Sequence, residues 1–443
     1  MTATPREALA AILPATRADL EALARIPSIS SLPEHAADVR RAVDAVAEFA
    51  SDAGAAQVQV VDAGGQPALI ATWPAPEGAP TVLLYAHADV QPTGLAAEWT
   101  SPPFEPTERN GRLYGRGCAD DKAGVAVHLA VLRAFGGKPP VGVVLFVEGE
   151  EEIGSPTLVP LLAEYRDLLR ADVIVIADSA NAAVDVPAFT TSLRGLVDLY
   201  VEVATAERPV HSGMFGGPAG DALTILCRLL GTLHEADGSV AVPGLFQGAS
   251  EAPEIPEDVF RSDAAMLPGT QLLGCGSIGD RMWHKPAVAV IGLDAPSTAA
   301  ASNILVPRAR AKVSLRIAPG DDAGSAMKAL TQHLIDNAPW GAQVTVTEGS
   351  AGEPFALSAT GDVYDLARSA MEEAFGNPAV EAGIGGSIPF IAEFARAYPG
   401  ATVLVTGVGD PESRWHGIDE SLDLGMWERA CLAELIFLER LAP

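Results

Sequence analysis

Two histidines and a set of carboxylates, each placed where an apolar run ends, are the residues of this chain best equipped for chemistry. The run PTVLLYA (80–86) leads into His87-Ala88-Asp89, a histidine with a carboxylate two residues on. A metal-bound imidazole is normally steadied through its other nitrogen by an acceptor, and Asp89 is suited to fix the tautomer of His87. Taken singly, a histidine at a strand end is more often a surface or capping residue. The stretch Leu113-Tyr114-Gly115-Arg116-Gly117-Cys118-Ala119-Asp120-Asp121-Lys122 brings glycines ahead of a helix start, where Asp120 or Asp121 reads either as an N-cap or as a metal ligand. VGVVLFV (141–147) passes straight into Glu148-Gly149-Glu150-Glu151-Glu152. Acidic runs are ordinarily solvated faces, but this one opens at the mouth of a buried strand, where like charges repel and a cation is the natural compensation. Two adjacent carboxylates can then divide the work, one ligating and one moving protons.

DVIVIA (172–177) ends at Asp178, and a late strand, TVLVTG, precedes a loop carrying His416 within Arg414-Trp415-His416-Gly417-Ile418-Asp419-Glu420. Alone, His416 reads as structural, as do the chain's remaining histidines. Position changes that reading. In a doubly wound sheet ligands bind beyond the carboxyl ends of the strands, and His87, Glu151, Glu152 and Asp178 all fall there. Two imidazoles with several carboxylates and no thiolate suit zinc ahead of manganese or cobalt, and one shared carboxylate would make a two-metal site.

Holding such residues together requires a sheet with helices on its faces. The continuous β-branched runs at 80–86, 141–147 and 172–177 predict strands buried on both sides, interleaved with helices at 34–52, 121–135 and 156–169. A different texture begins near Ser192: LVDLYVEVAT alternates like a strand with one solvated face, a helix is expected at 219–234, and AVAVIGL and ARAKVSLRIAPG return as strands before a helix at 322–337. Residues 237–286, rich in Gly, Pro and acidic residues, read as an excursion or long loop. After Gly352 the first texture resumes, with helices at 360–375 and 423–440. The organisation predicted is a catalytic domain at 1–189 and 351–443, interrupted by an inserted α+β domain at 190–350.

Bulk properties narrow the function. With 57 acidic against 29 basic residues the formal charge is -28, so nucleic acid and anionic membrane surfaces are excluded as partners on electrostatic grounds. The four cysteines are scattered and form no CxxC pair, no secretory apolar core forms near the N-terminus, and no run of about 18 apolar residues occurs. A cytoplasmic protein is expected.

HADVQP, LYGRGCADDK, EGEEEIGS, an Asp after a strand, HSGMFGG, SLRIAPG, GGSIP and the late His, in this order over nearly the whole chain, resemble the di-zinc aminoacylase and glutamate carboxypeptidase family, particularly its carnosinase-type dipeptidase branch. The resemblance implies a mixed-sheet zinc-peptidase domain with helices on both faces and an inserted lid and dimerisation domain. It implies one zinc on His87 and Asp178, another on Glu152 and His416, Asp120 bridging both, Glu151 as general base and Asp89 supporting His87. It further implies a cis Asp120–Asp121 peptide, a homodimer in which His211 reaches the partner's active site to stabilise the oxyanion, and Arg316 gripping the substrate carboxylate with Asn303 and the Gly385-Gly386-Ser387 turn. Without the resemblance, His211 reads as a turn cap and Arg316 as a surface strand residue. The activity implied is hydrolysis of dipeptides with a free C-terminus. An N-acyl amino-acid deacylase would use the same site, and a catalytically silent binding dimer would have lost Glu151 or a ligand. Ala123 after the lysine, PESRW before His416 and Ser179-Ala180-Asn181 after Asp178 depart from the family pattern and bear on the side chains accepted.

Overall fold

The computed structural model describes residues 4–250, 254–385 and 389–443. It divides into two compact units: one within 1–191, 357–382 and 388–443, the other within 192–356 and 383–387. The fold class is mixed α/β, with an α+β unit interrupting the larger one.

The larger unit is built on a six-stranded sheet in the order Gln57–Val61, Ala68–Trp73, Gly142–Glu148, Thr81–His87, Val173–Ile176, Thr402–Val405. The last four run parallel and the second runs antiparallel to both its neighbours, which makes the sheet mixed. Its central strands are buried along their whole length, as their unbroken apolar sequences require. Leu84 and Ala86 face a core shared with helices Lys122–Ala134 and Leu424–Leu441. Tyr85 and Phe146 point the other way, where Phe390 stacks on Tyr85 at 4.4 Å between ring centres and Phe394 meets it edge-on at 5.5 Å. Helices therefore cover both faces. The helix expected at 156–169 is shorter, Leu158–Glu164, and the chain beyond it continues in turns to the buried Leu169.

The second unit is a four-stranded antiparallel sheet ordered Ala287–Asp294, Arg308–Ile317, Gly195–Ala204, Gln343–Gly352. Alternate residues of its two central strands (Val197, Leu199, Val201, Val203, Val313, Leu315) pack with helices Ala222–Leu230 and Ala323–Asp336. The first helix starts later than the pattern suggested because Asp221 caps it, accepting from the Thr224 N–H at 2.8 Å and also from the Val306 N–H at 2.7 Å. The excursion at 237–286 carries a short helix, Glu257–Asp263, and a π-turn at Asp280–His284. Among the described residues no helix is long and apolar enough to cross a membrane.

Candidate metal centre

The parallel strands deliver their terminal residues to one place. His87 closes strand Thr81–His87 and is fully buried. Its Nε2 lies 3.1 Å from Oδ1 of Asp120 and 3.8 Å from Oδ1 of Asp178, which follows strand Val173–Ile176. Its Nδ1 faces Asp89, 3.1 Å from the backbone oxygen and 3.4 Å from Oδ1. The other oxygen of Asp120, Oδ2, lies 3.0 Å from Nε2 of His416, and His416 is 3.2 Å from Oε2 of Glu152. Donor atoms of His87, Glu151 and Asp178 come within 4.8 Å of one another, as do those of His87, Asp120 and Glu152. Asp120 thus stands between two histidines more than three hundred residues apart in sequence, with a carboxylate on either side.

Asp89 does more than face the imidazole. Its two oxygens accept the backbone N–H groups of Glu151 at 3.2 Å and Glu152 at 3.1 Å, so it anchors the acidic loop to the histidine strand. The Asp120–Asp121 peptide is cis, and Asp121 occupies the N-cap position of helix Lys122–Ala134 without capping it; its carboxylate accepts the His87 N–H at 3.2 Å instead. Gly117 has φ +78°, and a Cβ there would lie 2.7 Å from Val90, so the turn before Asp120 requires glycine.

Three supporting residues lie in quoted motifs yet carried no assigned role. Glu420, fully buried, accepts from the Arg116 guanidinium at 2.6 Å and from the N–H groups of Gly117, Ala119 and Asp120 at 3.1, 2.9 and 3.1 Å. One carboxylate thereby ties the His416 loop to the Asp120 turn. Gln91 holds Glu152, donating its N–H to Oε1 at 3.1 Å and its side-chain amide to the backbone oxygen at 3.0 Å. Glu150 secures the far side of the acidic loop, accepting from Gln66 at 2.8 Å and Thr157 at 2.7 Å. The only sequence signal for Glu420 was its place four residues after His416, because its work is done on backbone amides across the chain.

The electrostatics are those of crowded anions. Burial, then the nearby Asp178, holds the carboxyls of Asp121 and Glu151 well above the ordinary range. Burial and the Asp120 charge raise Glu152. Asp178 is pushed up to about 7 by burial and, against the pull of His87, by Asp120 and Glu152. For Asp120, hydrogen bonds from His416 and His87 outweigh burial and hold the carboxyl low. His416 is raised to about 10 by its bonds to Asp120 and Glu152. Imidazole nitrogens with carboxylates short of positive charge form a donor set that fits hard to borderline divalent cations.

The other residues singled out in the sequence lie in the second unit. The pairing of Val210–His211 with Ile304–Leu305 brings His211 beside Asn303, whose carbonyl accepts the Ser212 N–H at 3.0 Å. His211 does cap the following turn: its Nδ1 accepts the Gly213 N–H at 3.0 Å, which in the neutral ring leaves the proton on Nε2. Arg316 lies on the sheet face turned away from the helices, in a row with Arg308, Arg310 and Lys312. Arg308 pairs with Glu202 at 2.9 Å, Lys312 with Asp198 at 3.3 Å, and Arg310 stacks over Tyr200. Arg316, half-buried, has no carboxylate partner among the described residues. Gly385 receives a hydrogen bond from Arg194 at 3.2 Å, while Gly386 and Ser387 lie outside the described residues.

The geometry can be set beside known proteins. Residues 83–440 match the profile of peptidase family M20/M25/M40. The chain is 38% identical over 367 residues to a cysteinylglycine-S-conjugate dipeptidase of Corynebacterium striatum, covering 81% of each, and 27% identical over 365 residues to human Beta-Ala-His dipeptidase, covering 77% of this chain and 71% of that one. The crystal structure of human carnosine dipeptidase 1 superposes with a TM-score of 0.82 at 25% identity, over 99% of this chain and 98% of that one. With most of its length inside the family profile and relatives named as dipeptidases, the chain belongs to peptidase family M20/M25/M40 and is a metallopeptidase.

Proposed function

We propose that this enzyme hydrolyses the peptide bond of dipeptides bearing a free C-terminal carboxylate, with two divalent cations, zinc first among them, in the cleft. The observation that carries the reading is the placement of Asp120, one oxygen 3.1 Å from His87 and the other 3.0 Å from His416. His87 and Asp178 would hold one ion, Glu152 and His416 the other, and Asp120 both. Bound there, the ions would supply Lewis acidity to the scissile carbonyl and lower the pKa of water.

The chain's own residues perform the proton work. Glu151 adjoins His87 and Asp178 without a place in the proposed ligand set, so it is free to take the proton of the attacking water and deliver it to the leaving amine. Asp89 fixes the backbone from which Glu151 projects. Arg316, without a carboxylate partner among the described residues, offers a planar fork to the substrate carboxylate. His211, its Nε2 bearing the proton, would donate to the oxyanion in the active site of a second copy. The exposed apolar residues Val290, Ile291 and Leu293 on the edge strand of the inserted unit support a homodimer through that unit.

The test is turnover of a dipeptide panel beside the matching N-acyl amino acids, with metal stripped and restored, on the parent and Glu151→Gln. Dipeptide hydrolysis that depends on metal and falls about 10²- to 10⁴-fold in the variant is expected. Faster cleavage of the acyl amino acids would replace the reading with a deacylase, and an equally active variant would remove Glu151 as base.

A further inference from the structure

A half-open cavity of about 450 Å³ lies in the inserted unit between the excursion at 237–286 and the start of strand Ala287–Asp294. Among the described residues its wall includes Arg194, Arg281 and Lys285 and no aspartate or glutamate, in a chain where acidic residues outnumber basic ones by 57 to 29. The rest is largely apolar, with Phe260, Leu272 and Ile278 among the lining side chains. Cavities of a few hundred Å³ with an apolar wall and a few convergent polar groups are the usual form of small-molecule sites.

The three cations are held but not neutralised by direct pairing. Arg194 donates to the carbonyls of Gly385 at 3.2 Å and Arg281 at 3.5 Å. Arg281 donates to those of Ser277 and Leu273, both at 3.2 Å, and Lys285 to that of Cys275 at 2.6 Å. Among the described residues none of the three has a carboxylate within ion-pair distance. Asp237 and Asp280 feel the charge of Lys285, yet their oxygens are turned to backbone N–H groups, of Ser239 at 2.9 Å and of Ser250 and Ser277 at 2.8 and 3.1 Å. Burial, with Arg316 nearby, pushes the Arg194 guanidinium down to about 10, the mark of a cation short of counter-charge.

We propose that this cavity is a binding site for a small organic anion, a carboxylate or phosphate head on an apolar body, seated on Lys285 and Arg281 and approaching the carboxylate grip proposed for Arg316 only at its Arg194 edge. Carbonyl-tethered cations give the head a preset electrostatic seat, and the apolar wall takes the body. The inference does not rest on the dipeptidase reading, because its first test is binding.

Calorimetric titration of the metal-loaded enzyme with hexanoate, 1-hexanol and inorganic phosphate tests it. Saturable hexanoate binding is expected, with hexanol and phosphate each about ten-fold weaker or more, a difference of about 1.4 kcal/mol. Lys285→Met and Arg281→Met should each weaken hexanoate about ten-fold, with basal peptide turnover and melting temperature kept. Equal binding of hexanol, no saturation by hexanoate up to about ten millimolar, or unchanged affinity in both variants would overturn the proposal. So would hexanoate acting as a competitive inhibitor of peptide hydrolysis whose effect is lost in Arg316→Met and kept in Lys285→Met, since the anion would then sit where a substrate carboxylate does.

Discussion

The two units gather charge of opposite sign and support it by different means. In the larger unit carboxylates crowd onto the loops after parallel strands, cross-braced by Asp89, Gln91 and Glu420 through backbone amides. In the inserted unit the cations stand on a regular antiparallel strand or are tethered to carbonyls, and most of that strand's row is already paired. A buried excess of one sign is costly unless an opposite charge completes it. On the function proposed above, what completes each differs: divalent cations for the carboxylate cleft, a substrate carboxylate for Arg316. Removing a group from each should therefore produce different kinds of failure.

The largest effect is expected at Asp120, whose two oxygens face different histidines. Asp120→Ala should reduce turnover by about 10⁴-fold or more, as losses of central catalytic groups do. Bound metal, read by elemental analysis, should fall below the parent stoichiometry. Full metal content would show that Asp120 does not bridge. Next comes Glu420→Gln, which touches no reacting atom. Outer-shell partners typically cost 10- to 100-fold in metal affinity or activity, and a loss of about 100-fold in affinity is expected here because four donors lose a charged acceptor. Unaltered metal affinity would make Glu420 a purely structural residue.

Glu420 marks the limit of what the sequence discloses. That His87, Glu151, Glu152 and Asp178 come together was legible because an apolar run followed abruptly by acid or imidazole is unusual, and because the carboxyl ends of parallel strands converge. The strands and the alternation that turns Arg316 away from the helices were legible for the same periodic reason. Glu420 and Gln91 were not, since they act on backbone amides brought near only by the fold. Asp121 sat at a helix start, where capping is the ordinary expectation, but its carboxylate reaches back to the His87 strand. The helix expected at 156–169 stops at Glu164, because turns rather than a continued helix carry the chain to Leu169.

On the cationic side, Arg316→Met should raise KM for dipeptides about 30-fold, within the 1.5–3 kcal/mol of a charged hydrogen bond, while the corresponding dipeptide amides change little. Equal effects on acids and amides would mean that Arg316 does not read the carboxylate.

The smallest effects separate paired charges within the same sheet. Glu202 pairs with Arg308 on an exposed surface, with side-chain exposures of 36% and 60%. Such pairs contribute about 0–1 kcal/mol, so Glu202→Gln should leave the melting midpoint nearly unchanged. Asp198 is 6% exposed, pairs with Lys312 and accepts the Ser350 N–H at 3.2 Å. A Cβ on Gly349 would lie 1.9 Å from its carboxylate, so the strand beside it has closed tightly over this group. Asp198→Ala would take a buried acceptor from the Lys312 ammonium and from the part-buried Ser350 hydrogen bond, at a cost of about 1–3 kcal/mol, and should lower the midpoint measurably where Glu202→Gln does not. If the two variants melt alike, burial is not what separates structural charges from idle ones in this sheet, and the isolation of Arg316 loses its force as a sign of function.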